Sequence, residues 1–462
     1  MSDLLLSCEV LLLNFGLPVL LLTVGVVYLF ALRGFPILHP LRSLRHAMGG
    51  NTRSALRALS VALGGTLGVG NITGVALAIA AGGAGAVFWM WMSAAIAMFL
   101  KYAEIVLALV TRRRRADGEW EGGAMLYLRA GRLGRVVAPL FSFLCLLCAF
   151  TLGGPVQSNA AVSAAATVWK IPPAVVGAVL CGAVALAVFG GVKKIGAVTE
   201  MVVPILSVLY LFLSLYASLS HAREIPTVLF RVWHEAFSLS SGAAGVGGFL
   251  GAQAVRYGVS RGLLSHEAGA GTAPMAHAVA ENTPTSQGVL GMVEVFVDTF
   301  VFCTATALPL LLAYPDGMPD ASGFVLVKDA FCSLVGRAAA PLLGVSMLLF
   351  AYATLLAWCY YGRCALEYFT RRRGVACGYL ILFCVAVFWG SVGGEGALWR
   401  LADLAIALLT LIHGAALLPL LPRVLSESRR CGLLGQGVLL GRKRKGKAEE
   451  RLSEVGGKVS EK

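Results

Sequence analysis

The sequence predicts an all-α polytopic membrane protein, and three observations lead to that class. Of the 462 residues, 58% are hydrophobic and only 13% are charged, whereas soluble domains carry about 25% charged residues. Apolar runs near the roughly 20 residues that cross a bilayer recur along most of the chain. Clusters of glycine, which weaken a helix interior, interrupt two of these runs. The recurring runs exclude a soluble enzyme with a large core.

About eleven transmembrane helices are predicted from the lengths of the apolar runs. The spans cover 10–32, 57–82, 85–111, 136–162, 172–190, 196–219, 237–258, 287–313, 338–362, 375–392 and 401–421. An odd number of spans places the two termini on opposite sides of the membrane. The first apolar run is too long, and the residues before it too acidic, for a cleavable signal peptide.

The distribution of Lys and Arg predicts the orientation, because cytoplasmic loops carry an excess of positive charge. With the N-terminus outside, every basic loop and the C-terminus are cytoplasmic. Those loops hold Arg42 and Arg45, residues 112–115, Lys193 and Lys194, Arg256 and Arg261, and residues 371–373. The net charge of +14 therefore reflects membrane orientation rather than nucleic-acid binding. The basic tail, 425–462, is expected to be disordered and to contact anionic lipid.

The two glycine interruptions occupy corresponding positions in two halves of the chain. One covers residues 64–74 in the second span, and the other covers residues 240–248 in the seventh. With the extra N-terminal span (1–34) set aside, each interruption begins a set of five spans, so the two sets have opposite topology. Matched interruptions are the best pointer in a sequence to a transporter binding site. We therefore predict two inverted repeats, 51–220 and 237–422. Glycine clusters that only permit close helix packing are the alternative.

A family resemblance begins in the first interruption, where residues 70–75 read Gly-Asn-Ile-Thr-Gly-Val. Further blocks follow at residues 85–91, 101–104, 157–159, 258–262, 267–269, 287–288, 298–299, 303–307 and 358–362. Together they resemble the alanine/glycine:cation symporter family of bacterial secondary transporters. The resemblance implies a leucine-transporter-like fold and uptake of alanine, glycine or similar small neutral amino acids, usually with sodium. It also implies a multi-pass protein of the bacterial inner membrane that has no cofactor.

The candidate substrate ligands follow from the chemistry of an amino-acid zwitterion, whose carboxylate needs donors and whose ammonium needs acceptors. Unwound backbone at the two interruptions supplies most of them, and two side-chain amides on the fourth span supply others. An interhelical hydrogen bond is the alternative role for these amides. A tryptophan on the ninth span either limits substrate volume or belongs to an interfacial belt. The candidates are Gly68, Val69, Gly70, Asn71, Gln157, Asn159, Gly245 and Trp358.

The candidate cation ligands are side-chain oxygens, which hard cations prefer. They are Thr66, Thr73, Asp298, Thr304 and Thr354, and no metal site beyond a sodium site is predicted. Asp298 lies in mid-span, one turn after Glu294 on the same helix face. A charge at this depth is expensive, so the two carboxylates are candidates for cation binding, proton relay or interhelical hydrogen bonds.

Two positions depart from the family that the chain resembles. That family commonly has Thr where this chain has Val69, and a Ser–Thr pair where it has Ala353 and Thr354. In the family the pair resembles part of a sodium site, together with carbonyls of the first broken helix. The loss of two hydroxyls is expected to weaken such a site.

The sequence therefore predicts a cation-coupled symporter of small neutral amino acids that works by alternating access, with sodium as the expected ion. A proton-coupled transporter of the same substrates and a non-transporting amino-acid sensor on the same fold are the alternatives. No nucleophile–base arrangement indicates an enzyme. The expected partners are the amino acid, sodium or a proton, and the lipid bilayer. Two further charged residues inside spans, Lys101 and Glu104, are expected to pair with each other in a structural role, and Asp403 and His413 in the last span are weaker functional candidates.

Overall fold

The computed structural model describes residues 12, 16–48, 51–115, 118, 120–131, 133–237, 246–320, 323–393, 396–431 and 433. The helices up to residue 219 are α1 (Leu17–Ala31), α2 (Phe35–Leu38), α3 (Pro40–Ala47), α4 (Thr52–Thr66), α5 (Val75–Gly82), α6 (Gly85–Thr111), α7 (Ala124–Arg129), α8 (Gly134–Ala149), α9 (Gln157–Trp169), α10 (Pro173–Val188) and α11 (Gly191–Leu219).

The later helices are α12 (Ile225–Phe237), α13 (Val246–His266), α14 (Ala273–His277), α15 (Pro284–Val295), α16 (Thr304–Ala313), α17 (Gly323–Val335), α18 (Ala339–Phe369), α19 (Arg373–Val392), α20 (Gly396–Leu417) and α21 (Leu421–Arg430). Three π-helical segments join neighbouring helices, at Gly70–Gly74, Leu152–Val156 and Phe296–Cys303, and a 3₁₀ turn covers Leu418–Leu420. A short antiparallel pair, β1 (Arg113–Arg114) with β2 (Trp120–Glu121), follows α6.

Transmembrane helices dominate the structure, which confirms the predicted class. Seven helices in the described part of the chain are long and apolar enough to cross a membrane, and the bent pair formed by α4 and the segment Gly70–Gly82 makes an eighth. The predicted count of eleven is not reached by this measure. The helix α10 is only 16 residues long, and α1 is described only from Leu17.

The ends of the helices follow local capping chemistry. Asn51 precedes α4, and its side-chain oxygen accepts a hydrogen bond from the Ser54 N–H at 3.3 Å. Thr283 does the same for α15 through the Ser286 N–H at 3.2 Å, with Pro284 at the first helical position. These caps satisfy amide groups that the first helical turn leaves without a partner. They fix where the chain enters α4, whose last turn lines the candidate site, and α15.

The first predicted interruption is present. The helix α4 ends at Thr66 and the chain resumes as a π-helical segment at Gly70, with a bend of 54° between the two parts. A break at this depth leaves backbone groups that neighbouring protein must satisfy. The residues between the two parts, 67–69, are buried.

Most of the second predicted interruption, 240–248, lies outside the described residues, so it stays a prediction. Residues 238–245, which include Gly245, lie outside the described part, and from Val246 the chain is regular helix to His266. The backbone turns left-handed at 267–272, where Glu267, Gly269 and Gly271 have φ of 48°, 84° and 76°. Glycines inside α13 serve packing instead: a Cβ at Gly258 would lie 2.4 Å from the Ala86 carbonyl oxygen. Small residues permit this close helix contact.

The same region corrects part of the loop assignment. The sequence placed Arg256 and Arg261 in a cytoplasmic loop, but both lie inside α13. They therefore carry no information about which side of the membrane the neighbouring loops face. The helix α12, before the undescribed residues, was not predicted as a separate element.

The helix α6 is the centre of the packing. It contacts α13 on one side and α15 on the other, and its residues 99–109 are all buried. The left-handed segment 267–272 follows α13 directly. Two side chains of α6, Leu100 and Glu104, lie against this segment.

Candidate functional site

A cavity of about 70 Å³ lies at the break of the first helix. Its wall combines the broken helix with α9, the end of α13, α18 and α20. The predicted residues that line it are Thr66, Gly68, Val69, Gly70, Thr73, Gln157 and Thr354. The structure therefore brings seven of the thirteen predicted site residues to one cavity.

Gly68 allows the wall of the cavity to close tightly. A Cβ at this position would lie 2.9 Å from the Thr354 hydroxyl oxygen and 3.3 Å from Oε1 of Gln157. Contacts this short force neighbouring atoms to move, so an absent side chain is required here. The break thus places backbone, rather than a side chain, beside a hydroxyl and an amide.

Gln157 presents an unused acceptor. Its Nε2 donates to the Leu152 carbonyl at 3.3 Å, within the π-helical segment that precedes α9. Its Oε1 is buried and has no hydrogen-bond partner among the described residues. Because a buried acceptor without a donor is costly, this oxygen is suited to a ligand that brings an N–H group.

Charged residues that sequence analysis did not place in the site also line the cavity. Arg261 and Glu267 come from the end of α13 and the segment after it, and Asp403 comes from α20. Charges inside apolar spans are a signal for functional sites, and this signal was available for Arg261 and Asp403. Glu267 could not be found this way, because its position depends on a left-handed turn that the sequence does not reveal.

Asn71 fixes the break from behind rather than lining the cavity. Its Oδ1 accepts from the Gly68 N–H at 3.0 Å, and its Nδ2 donates to Oδ1 of Asp298 at 2.8 Å and to the Ser265 hydroxyl at 3.0 Å. Its carbonyl accepts from the Thr306 hydroxyl at 2.7 Å. One side chain therefore ties the first break to α13 and to the π-helical segment after α15. We call Asn71, Asp298 and Ser265 the amide clasp.

Both carboxylate oxygens of Asp298 accept hydrogen bonds within or beside this clasp. Besides Asn71 on Oδ1, its Oδ2 accepts from the hydroxyls of Ser265 at 2.9 Å and Thr299 at 3.0 Å. The carboxylate is fully buried and does not line the cavity. Of the three roles that the sequence left open for Asp298, the geometry displays the acceptance of interhelical hydrogen bonds.

The predicted threonines fall into two groups. Thr66, Thr73 and Thr354 line the cavity, and the Thr354 hydroxyl faces the carbonyl oxygens of Phe350 at 3.0 Å and Leu67 at 3.3 Å. Thr304 lies elsewhere, where its hydroxyl accepts from the Trp91 indole N–H at 2.9 Å. Oxygen atoms suited to a cation thus gather where α18 meets the end of α4.

Two further predicted substrate ligands lie outside the cavity lining. Asn159 donates to the carbonyls of Gly390 at 3.3 Å and Gly393 at 3.4 Å, which joins α9 to α19. Trp358 is fully buried and packs over Gly153, where a Cβ would lie 2.3 Å from the Trp358 Cβ. The arrangement of Asn159 matches the interhelical alternative, and Trp358 is enclosed by protein on all sides.

Comparisons with known proteins identify the family. The model of the sodium:alanine symporter family matches residues 2–430. The chain belongs to this family. It is 36% identical over 385 residues to the sodium/alanine symporter AgcS of Methanococcus maripaludis, covering 81% of this chain and 83% of that relative. An uncharacterized transporter of Haemophilus influenzae is 34% identical, with 90% and 93% covered. The amino-acid carrier protein AlsT of Bacillus subtilis is 33% identical, with 78% and 76% covered. The protein is therefore a multi-pass membrane transporter and not an enzyme.

A second polar cluster lies behind the left-handed segment of this symporter. The ammonium of Lys101 is 3.2 Å from Oε1 of Glu294 and 3.6 Å from Oε1 of Glu104. His277 contacts Oε2 of Glu294 at 3.1 Å. All four side chains are buried. The sequence expected Lys101 to pair with Glu104 and Glu294 to act with Asp298; instead Glu294 shares Lys101 with Glu104, while Asp298 belongs to the amide clasp.

Proposed function

We propose that this protein is a sodium-coupled symporter of small neutral amino acids such as alanine and glycine, working by alternating access. The observation that carries the proposal is the cavity at the first helix break, lined by backbone, an unpartnered amide oxygen and charged groups. The name of the relative AgcS, a sodium/alanine symporter, supports the substrate and the ion.

The cavity suits a small zwitterion. A volume of about 70 Å³ favours a substrate with a short side chain. Oε1 of Gln157 and the carboxylate of Glu267 would accept from the ammonium, and the guanidinium of Arg261 would donate to the carboxylate. Gly68, Val69 and Gly70 supply backbone at closest approach. Arginine binds a carboxylate through two parallel hydrogen bonds, which fixes the orientation of the substrate.

The coupling ion would lie where α18 meets the end of α4. The Thr354 hydroxyl and the Leu67 carbonyl face each other there, with Thr66 one residue before Leu67. Hard cations are bound by such oxygen atoms. Ala353 offers no hydroxyl, so backbone carbonyls would supply the remaining ligands. Because Asp298 already accepts three hydrogen bonds, it is a support for the site rather than a ligand.

A route for alternating access runs along α4. A larger cavity of about 740 Å³ is lined by Arg57, Ala58 and Val61 of this helix, and the smaller cavity begins one turn later at Gly65. Tyr361 lies between the two levels: a Cβ at Gly65 would be 2.8 Å from its hydroxyl. Movement of Tyr361 away from Gly65 would join the cavities. In this proposal the larger one is cytoplasmic, the N-terminus is outside, and the repeats 51–220 and 237–422 move against each other.

Uptake by proteoliposomes tests the proposal. Labelled alanine or glycine should accumulate under an inward sodium gradient and fail to do so when choline replaces sodium. Accumulation driven by a proton gradient alone would show that the proton, and not sodium, is the coupling ion. Binding without accumulation would indicate a sensor. Gln157→Leu should abolish uptake, whereas Asn159→Leu, an equal change on the same helix outside the cavity, should reduce it less.

A further inference from the structure

The cluster behind the left-handed segment contains more acidic than basic groups. Lys101 is the ammonium that contacts both Glu104 and Glu294. The side chains of Lys101 and Glu104 have no exposed area, and that of Glu294 has 1%. An isolated ionised carboxylate in such surroundings is so unfavourable that it takes up a proton instead. One positive charge cannot balance two negative charges. The net charge of the cluster therefore depends on whether the neighbouring histidines are protonated.

Neither neighbouring imidazole supplies the missing positive charge when protons are assigned from the hydrogen-bond network. Asn282 donates to Oε1 of Gln287 at 3.1 Å, so Nε2 of Gln287 donates to Nδ1 of His277 at 2.7 Å. His277 is therefore neutral and donates to Glu294 through Nε2. The other ring is that of His413 on α20.

His413 is neutral by the same reasoning. Its Nδ1 lies 2.6 Å from the Gly269 carbonyl, which can only accept, so Nδ1 carries a hydrogen. Its Nε2 lies 2.5 Å from the hydroxyl of the buried Tyr127, which has no other hydrogen-bond partner among the described residues, so the hydroxyl hydrogen is satisfied only when Tyr127 donates to Nε2. The positive charge of Lys101 is thus shared between two carboxylates without help from either histidine.

The two carboxylates are not equally supported as anions. Both oxygens of Glu294 have donors, Lys101 at 3.2 Å and His277 at 3.1 Å. Oε2 of Glu104 accepts from the Gly271 N–H at 3.1 Å, but its Oε1 has no hydrogen-bond partner among the described residues. Since charged acceptors gain most from hydrogen bonds, the anion is better placed on Glu294.

We propose that Glu104 is a proton-binding site, protonated on Oε1 in this conformation. The proton comes from water and converts the carboxylate to a neutral carboxyl, which leaves Lys101 and Glu294 as a balanced pair. The groups that face Glu104 are Lys101 on α6, Glu294 on α15, His413 on α20 and Tyr127 on α7. Glu267, which lines the cavity, also acts on Lys101.

The site is connected to the part of the chain that lines the cavity. Glu104 accepts from Gly271 and His413 donates to Gly269, so both hold the left-handed segment that begins at Glu267. Loss of the proton would leave an unbalanced charge against this segment. Transport should then fail at alkaline pH, and Glu104→Gln, which imitates the neutral carboxyl, should keep its uptake there.

Infrared difference spectroscopy tests protonation without relying on transport. The full-length protein in nanodiscs at neutral pH should show a protonated-carboxyl C=O band that is lost in Glu104→Gln. Asp329→Asn, the same chemical change at an exposed ion pair on α17, should retain the band. A wild-type band that survives in Glu104→Gln would overturn the proposal. So would failure of Glu104→Gln to fold, because an amide of the same shape replaces a neutral group.

The pH profile of alanine uptake is the second arm and rests on the proposed function. Wild-type uptake should fall on the alkaline side, and Glu104→Gln should be flat across the same range. An identical fall in both proteins would overturn the proposal. If wild-type protein transports alanine at no pH, the proposed function fails, and the infrared result still decides the proton site.

Discussion

The first helix break and the left-handed segment 267–272, which lies between α13 and α14 and is called the second break below, are held by different kinds of side chain. At the first break, the neutral side chain of Asn71 accepts a hydrogen bond from the Gly68 N–H, and the backbone carbonyl of Asn71 accepts one from the Thr306 hydroxyl. At the second, ionisable side chains hold the backbone: Glu104 partners Gly271, and His413 partners Gly269.

The difference follows the positions of the breaks relative to the cavity. The first break lines the cavity with backbone, and the neutral amide of Asn71, rather than a charged group, partners that backbone. Within the second break only Glu267 lines the cavity, and the glycines of the segment lie against α1, α6, α7, α8 and α20. Ions are tolerated in an enclosed site only when they are paired and hydrogen-bonded. Freed backbone at membrane depth can therefore be satisfied in either way, depending on what passes beside it.

The largest effect should come from removing the cation of the second break. Lys101→Met leaves Glu294 and Glu104 buried without their ammonium, and breaking one side of a buried ion pair costs about 3–5 kcal/mol. Unfolding of the purified protein in detergent should show this loss. Arg57→Met is the matched control, since its pair with Glu200 at 2.8 Å is 43% and 33% exposed and should cost about 1 kcal/mol or less. Equal losses in the two variants would contradict the ionic role of Lys101.

A smaller effect is expected at the first break. Asn71→Ala removes the partner of the Gly68 N–H and one donor to Asp298. Each buried group left without a partner costs about 1–3 kcal/mol, so we expect a loss near 2–3 kcal/mol in the same unfolding measurement. Asn159→Ala is the control, because it loses only two longer bonds to carbonyls, at 3.3 and 3.4 Å. A loss at Asn159 as large as at Asn71 would show that the clasp has no special role.

The sequence identified the first break but gave no sign of the one at 267–272, and most of its second predicted interruption, 240–248, lies outside the described residues. Glycines at 64–74 coincide with Asn71, whose amide can partner freed backbone, and the break is there. The chain is helical from Val246 onward, and at Gly258 the close packing of α6 against α13 offsets the low helix propensity of glycine. The described second break depends on Glu267 adopting φ of 48°. Composition does not reveal such a backbone, which persists because Thr272, Glu104 and His413 hold the segment around it.

In the candidate site, too, the sequence predicted the residues with a local signal and missed those that depend on tertiary contacts. Span composition led to Gln157, and glycine clustering led to Gly68, because both signals are local. Arg261 was misassigned to a loop, since a charged residue looks like a boundary when its partners across the cavity are unknown. The separation of Glu294 from Asp298 depends on the π-helical segment Phe296–Cys303, which changes the helix face after Val295. Side-chain pairing across helices is a tertiary property, and regular helix periodicity alone could not supply it.

The smallest of the three effects should appear in transport rather than in folding. Gly68→Ala adds a Cβ 2.9 Å from the Thr354 hydroxyl and 3.3 Å from Gln157, which displaces both side chains from the cavity. We expect alanine uptake to fall about tenfold, equivalent to about 1.4 kcal/mol. Gly182→Ala on α10 is the control: a Cβ there also meets nothing within 4 Å, and Gly182 does not line the cavity, so uptake should stay near wild type. If Gly68→Ala transports as well as Gly182→Ala, the substrate does not depend on the close approach at the first break.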